Sequence, residues 1–248
     1  FQTMDKQVAI ITFSLLILFS CKKENRSDCI KSHGQEITET IEIDSYSVID
    51  ISGHVNIEIN PNQKSIAELT GGKNVLPLIQ CKVINDTLYI NNNNTCNWAR
   101  SYDREINITL YCDSLEGIVN RSTGNLLSTD TIRNKNTFTL KGTAMNGETN
   151  LTLSANRMDF NYLNGTSTVY LSGKVDVASF YCKSIGNVEA SNLFSDETII
   201  NHYGTGELNV YSSIYLRGWI NHTGNVYYNG SPKTIDVDEF NSGELIEK

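Results

Sequence analysis

The sequence predicts an all-β chain folded as a β-helix, a β-solenoid with about 20 residues per coil, and three observations carry that prediction. Gly124, Gly147, Gly165, Gly186, Gly206, Gly224 and Gly243 recur at intervals of 23, 18, 21, 20, 18 and 19 residues. Each is followed by a short run that turns from polar to apolar: GNLL, GETNLTL, GTSTVYL, GNVEA, GELNV, GNVYY and GELI. No stretch keeps a 3.6-residue apolar period over three turns, so helices have no claim on the chain. A period near 20 is too short for a helical hairpin repeat and suits one coil that buries its apolar face by stacking on the next. The same spacing also describes hairpins of an antiparallel sandwich with glycine at the turns. A sandwich does not require one interval through seven units, and the solenoid is therefore the expectation.

Composition narrows the function classes. The chain has 248 residues and a net charge of -8, which excludes the basic stripes that replace counterions on nucleic acid. It contains 3 prolines, 17 glycines, 12 tyrosines and 29 asparagines, a set that favours turns and polar strand faces. Base-composition bias would account for the asparagines; it would not account for the regular glycines.

In chain order, the first element is an address. Met4 reads as the start, with Phe1 to Thr3 upstream and Lys6 as a one-charge leader. Val8 to Ser20 is a mostly apolar run too short to span a bilayer well, so residues 1–20 are expected to be a signal peptide. Leu18-Phe19-Ser20-Cys21 resembles the bacterial lipobox, and Lys22, Lys23 and Glu24 follow at once, as at the start of surface lipoproteins of the Bacteroidetes. That resemblance implies cleavage before Cys21, lipidation of its thiol and anchorage in the outer membrane at the cell surface. Residues 21–35 are polar and aperiodic, a lipidated tether. Residues 36–248 form the expected β-helix domain, irregular to about residue 97.

Within that domain, Val55, Ile57 and Ile59 alternate with polar residues in ISGHVNIEI, a strand with one buried face. Asn60-Pro61-Asn62 ends it. Ser65 to Leu69 is a further short strand, and Leu78 to Val83 and Thr87 to Ile90 flank an Asn85-Asp86 turn. Ile106, Ile108 and Leu110 share a face. Beyond them the expected core runs through Phe138, Leu140, Leu151, Leu153, Met158, Phe160, Val169, Leu171, Val175, Val177, Val188, Ile199, Leu208, Val210, Leu216, Val226, Tyr228, Ile235 and Val237.

ISGHVNIEI followed by serial small-Gly-hydrophobic units resembles the auto-transporter adhesin head GIN domain family, common among Bacteroidetes lipoproteins. The matching pieces are Ser52-Gly53, Ser122-Thr123-Gly124, Tyr203-Gly204-Thr205-Gly206, His222-Thr223-Gly224 and Ser242-Gly243, within about residues 41–245. The resemblance implies a right-handed, single-stranded β-helix and brings no catalytic residue. Asn146-Gly147 and Asn164-Gly165 depart from the family's Gly-Ser-Gly units and leave the coil boundaries open there.

With Cys21 lipidated, Cys29, Cys81, Cys96, Cys112 and Cys182 remain, and without a C-x-x-C pair they suggest neither a redox motif nor a compact zinc site. Cys81 and Cys96 flank a hairpin-like stretch and are the first candidate disulfide. Cys112 and Cys182 are three to four coils apart, too far for a bond, since a disulfide needs Cα atoms within about 7 Å.

Few residues of the sequence carry recognisable chemistry. No nucleophile elbow, HExxH, P-loop or EF-hand pattern is present. His202 and His222 lie one coil apart, but a metal would need a third ligand, with Glu239 or Asn241 as loose options. Asp176, Glu197, Arg157 and Arg217 do not converge by spacing into the acid, base and cation set of a polysaccharide-cleaving β-helix. The residues after the corner glycines, Asn125, Glu148, Thr166, Asn187, Glu207, Asn225 and Glu244, form an expected outer column that either stabilises the stack or meets a ligand. Tyr162, Tyr170, Tyr181, Tyr203, Tyr211, Tyr215, Tyr227, Tyr228 and Trp219 give the later coils an aromatic bias suited to contact surfaces. The expected function is a non-enzymatic surface module without cofactor or metal, contacting glycan or a cell-surface protein. An inert envelope spacer and, more distantly, a polysaccharide-active enzyme are the alternatives.

Overall fold

Strands that alternate apolar and polar residues bury one face only by stacking, and the apolar alternation of this chain finds its partner one coil away. The computed structural model describes residues 32–61, 66–94 and 105–248. The signal segment, Cys21, Cys29, most of the tether and Cys96 lie outside these residues. The strands are β1 (Glu36–Glu42), β2 (Val48–Gly53), β3 (Asn56–Pro61), β4 (Ile66–Gly72), β5 (Ile79–Ile84), β6 (Thr87–Asn92), β7 (Asn107–Cys112), β8 (Gly117–Ser122), β9 (Leu126–Ser128), β10 (Ile132–Met145) and β11 (Thr149–Gly165). They continue as β12 (Val169–Cys182), β13 (Val188–His202), β14 (Leu208–Tyr211), β15 (Tyr215–Ile220), β16 (Val226–Asn229), β17 (Thr234–Glu239) and β18 (Leu245–Glu247).

From β8 onward each turn of chain visits three walls. The first wall holds β8, the middle of β10, the later halves of β11, β12 and β13, then β15 and β17, all parallel. The second holds β9, the starts of β11, β12 and β13, then β14, β16 and β18, also parallel. A shorter third wall stacks Ile132, Leu153, Gly173 and Leu193 in register. Parallel pairing throughout this region excludes the antiparallel sandwich.

In-register stacking makes columns of like side chains. Ile49, Ile118, Leu140, Phe160, Phe180 and Ile200 stack inside the first wall, each no more than 1% exposed. Phe160 meets Phe180 edge-on with centroids 6.4 Å apart. Truncating a buried phenylalanine of this kind costs about 3–5 kcal/mol. Ile57, Leu126, Thr149, Val169, Val188, Leu208 and Val226 line the second wall from inside.

The early part of the domain breaks sequence order. β2 pairs with both β6 and β8, and β3 with both β7 and β9. The coil made by β2 and β3 is therefore sandwiched between two coils made later in the chain. β4 runs antiparallel to β7 and β1 antiparallel to β4, while β5 closes a hairpin with β6. Asn85 and Asp86 turn that hairpin with φ of 48° and 62°, the left-handed pair a two-residue type I′ turn requires. Within the irregular stretch up to about residue 97, β1, β4 and β5 thus cap the stack in antiparallel pairings, while β2, β3 and β6 belong to its parallel coils.

The glycine column is real, with one substitution. A Cβ on Gly206 would collide with the carbonyl oxygen of Gly186, one on Gly224 with that of Gly206, and one on Gly243 with that of Gly224. Gly165 is not a member. Gly186 sits against the carbonyl of Ser167, and the Ser167 hydroxyl donates to the carbonyl of Gly147. The column reads Gly124, Gly147, Ser167, Gly186, Gly206, Gly224, Gly243. Gly165, at φ 141°, bends the preceding corner, where it packs on Met145.

One interior column is polar. By register, Asn120, Gly142, Tyr162, Cys182 and His202 follow one another inside the first wall. Tyr162 donates to the carbonyl of Ser167 at 2.9 Å. His202 is 2% exposed, and neither ring nitrogen has a hydrogen-bond partner. Burial lowers its pKa; the neighbouring Gly206 backbone opposes this without reaching bonding geometry, and His222 adds to it.

Gly206→Ala drives a methyl into backbone that has no room to move and is expected to cost roughly 2–4 kcal/mol in urea unfolding. The neutral ring of His202 has a folded-state pKa below its unfolded value of about 6.5, so the native state binds fewer protons. Its contribution is fully present above about pH 6.5 and is lost as pH falls toward the lowered value. Urea midpoints between pH 7.5 and 5 should fall more steeply for the native chain than for His202→Leu.

Candidate binding surface

Strand register places recurring residues in rows on the outer walls, and two rows bear on function. The first is the column after the glycines. Asn125 Oδ1 accepts the backbone N–H of Glu148 at 2.9 Å, Asn187 that of Glu207 at 2.9 Å and Asn225 that of Glu244 at 3.1 Å. Asn56 extends the row by accepting the N–H of Asn125 at 2.9 Å. Each amide thus satisfies a donor that strand pairing does not yet reach. Thr166 does not belong to this row. Thr168 occupies the position, its carbonyl accepting from Thr149, while Thr166 sits in the turn before and donates to Asn146 Oδ1 at 2.9 Å. This is the same two-residue displacement that separates Gly165 from Ser167. Asn125, Glu148, Asn187, Glu207 and Glu244 are exposed and Asn225 half-buried.

The second row lies on the outer face of the first wall. Lys141, Asn161, Tyr181, Asn201, Trp219 and Asp238 follow one another in register. Tyr203 stands beside it, its ring centroid 5.6 Å from that of Tyr181, and accepts the Trp219 Nε1–H at 2.8 Å. Trp219 is 39% exposed, and Phe240, one register step from Asn221, is 63% exposed. Asn241 donates to Asn221 Oδ1 at 3.2 Å. The result is an aromatic strip on rigid strands, edged by amides, with its charges at the two ends. Tyr181, Tyr203 and Trp219 stand out in the sequence by type but not as a group, and Phe240 not at all; the recurrence of Tyr181, Asn201 and Trp219 near one coil length is the signal that joins them.

Other singled-out residues do not assemble. His202 is interior and His222 exposed. Glu239 accepts the Leu245 N–H at 2.6 Å and Asn241 bonds Asn221, so neither completes a ligand set. Glu197 pairs with Arg217 at 2.6 Å and Arg157 with Asp159 at 2.8 Å, which spends these charges on each other, while Asp176 is exposed at a corner. Among the described residues no three His, Cys, Asp or Glu side chains converge as a metal site. Cys81, Cys112 and Cys182 are free thiols. Burial raises them to about 11, 11 and 12 respectively, leaving them protonated and inert. Cys81 packs on the core, and Cys96, its expected disulfide partner, lies outside the described residues.

Comparison with solved structures finds the same fold. A putative adhesin from Bacteroides fragilis NCTC 9343 superposes with a TM-score of 0.79 at 19% identity, over 88% of this chain and 100% of that one. A putative adhesin from Parabacteroides distasonis ATCC 8503 gives 0.66 at 15% identity over 88% and 100%. One from Parabacteroides merdae ATCC 43184 gives 0.58 at 14% over 88% and 98%. At these identities the likeness is one of fold. Comparison with curated proteins gives no match. The family model described as "Putative auto-transporter adhesin, head GIN domain" matches residues 45–232, most of the β-solenoid, and the chain belongs to that family.

Proposed function

We propose that this chain is a non-enzymatic adhesion module of the cell envelope that holds a surface polymer, glycan or matrix, against the first wall of its solenoid. The observation that carries the reading is the strip of Tyr181, Tyr203 and Trp219. Its rings are ordered by ring contact and by the Trp219–Tyr203 hydrogen bond, so binding costs little side-chain entropy. Aromatic rings supply large contact area, and the flanking Asn161, Asn201 and Asn221 offer both donors and acceptors. The other row, Asn125, Glu148, Asn187, Glu207 and Glu244 exposed with Asn225 half-buried, borders the neighbouring second wall, where a long polymer would meet it; Thr166 lies beside that row. The family's description as an adhesin agrees with this reading.

Display outside the cell rests on the leader. Residues 1–20 act as a lipoprotein signal peptide, Cys21 carries the lipid that anchors the chain in the outer membrane, and residues 21–35 tether the β-helix of 36–248 clear of the bilayer. Several acyl chains give durable attachment because affinity rises with each buried methylene, about 0.8 kcal/mol apiece.

Two measurements test these statements. On a glycan and matrix-protein array, the purified full chain should be retained by one ligand class, and Trp219→Ala or Tyr203→Ala should weaken that retention at least tenfold with the far-UV spectrum unchanged. Folded protein that binds no class would make the solenoid a spacer. When Cys21→Ser is expressed in a lipoprotein-processing host, the chain should move from the membrane to the soluble fraction; unchanged partition would remove the anchor.

A further inference from the structure

The second wall carries a concavity separate from the aromatic strip, and its origin is a slip in coil register. Along β12 and β13, Tyr170 pairs with Glu189, but Ser172 pairs with Asn192 rather than Ser191. One extra residue in β13 bulges the strand, and a bulge bends the wall and re-aims the side chains around it. The depression it leaves measures about 470 Å³ and is walled by Asn150, Tyr170, Ser172, Glu189, Ser191 and Asn192. That size falls within the range of roughly 300–1,000 Å³ usual for small-ligand sites.

The lining is held in place. Asn209 is 2% exposed, donates from Nδ2 to Glu189 Oε1 at 3.0 Å and accepts from Lys248 Nζ at 2.6 Å. Lys248 in turn lies over the Tyr227 ring, 4.1 Å from its centroid. A buried amide thus fixes one oxygen of the Glu189 carboxylate. Ser172 is held by Thr152, with 3.0 Å between their hydroxyl oxygens. Tyr170 remains 39% exposed, its ring free on the rim.

We propose that this depression binds one neutral pyranose residue of a glycan, its apolar face on Tyr170 and its hydroxyls on Glu189, Asn150, Ser191 and Asn192. A sugar ring offers an apolar face and vicinal hydroxyls that both donate and accept, which matches an aromatic ring beside a carboxylate and two amides. No lysine or arginine lines the depression, so nothing there compensates an acidic sugar against Glu189. An extended peptide would need a free strand edge, and beneath Tyr170 and Glu189 the strands are paired on both sides. The proposal concerns a different wall from the adhesion strip and stands or falls apart from it.

Saturation-transfer NMR on the purified full chain in mild detergent tests it, with N-acetylglucosamine, galactose, mannose and fucose as neutral probes and glucuronic acid as the charged comparison. At least one neutral sugar should receive saturation, glucuronic acid several-fold less. In a Trp219→Ala background, which silences the first-wall strip, transfer should persist, and adding Tyr170→Ala or Glu189→Gln should each reduce it at least fivefold with circular dichroism unchanged. No transfer to any neutral probe from folded protein would overturn the proposal. So would transfer that is lost altogether in Trp219→Ala, which would place the sugar on the first wall, or transfer in that background that survives both second-wall substitutions.

Discussion

Everything else in this fold depends on how closely successive coils approach at one corner. At Gly186, Gly206, Gly224 and Gly243 the carbonyl of the coil below occupies the space a side chain would need. That contact fixes the vertical spacing and the angular phase of each coil together. Once phase is fixed, the strand-to-strand spacing of about 4.8 Å repeats, and every side chain lands above its counterpart one coil earlier. The apolar columns inside and the ordered rows outside are two results of one backbone constraint. A fold that drifted by one residue per coil would turn its apolar columns outward, because strand side chains alternate with a period of two.

A stack of this kind has two ends, and the protein treats both as edges that must not pair with other chains. At one end β4 and β5 run antiparallel to β7 and β6, with β1 laid antiparallel on β4, covering parallel strands with a cap of different direction. The outermost strand of that cap carries Glu36, Glu39 and Glu42, all exposed. At the other end β17 places Asp236, Asp238 and Glu239 in the open. Charge on an edge raises the cost of adding a further strand. Like signs at both ends also oppose end-to-end stacking of two copies. Inserting β2 and β3 between coils made later in the chain ties the cap to the stack, since this one coil pairs with β6 and β7 on one side and with β8 and β9 on the other.

The coil length, the all-β class and most of the core were legible because each rests on local pattern, glycine recurrence and two-residue alternation. The two-residue slip at Gly165 shows where pattern stops. Gly165 and Ser167 are both corner residues; one bends the chain and the other takes the close contact. A column of glycines with one serine is invisible to a search for glycine, because the serine survives there by turning its hydroxyl onto the Gly147 carbonyl. The place of β2 and β3 was unreadable for another reason. Nothing local records that Ile49 meets Ile118 and Leu88 at once, since pairing across 69 residues is decided by the whole stack. The aromatic strip was half legible: its members stood out by type, but their adjacency follows only from register.

Register also explains how a monotonous scaffold acquires distinct sites. Regular coils give flat walls with rows of residues, suited to a long polymer that makes the same contact several times. Departure from regularity gives a different kind of surface. The single extra residue in β13 converts a flat wall into a depression while leaving the coils on either side in phase. The corner contacts absorb the insertion, since Gly186 still packs on Ser167 and Gly206 on Gly186. Changes in such a protein are therefore cheap on the walls and costly at the corner. Tyr170, Glu189 and Trp219 sit where substitution alters what the surface presents and not whether the coils stack. Diversification of binding within this architecture is expected to concentrate at wall positions and bulges, with the glycine corner held constant beneath them.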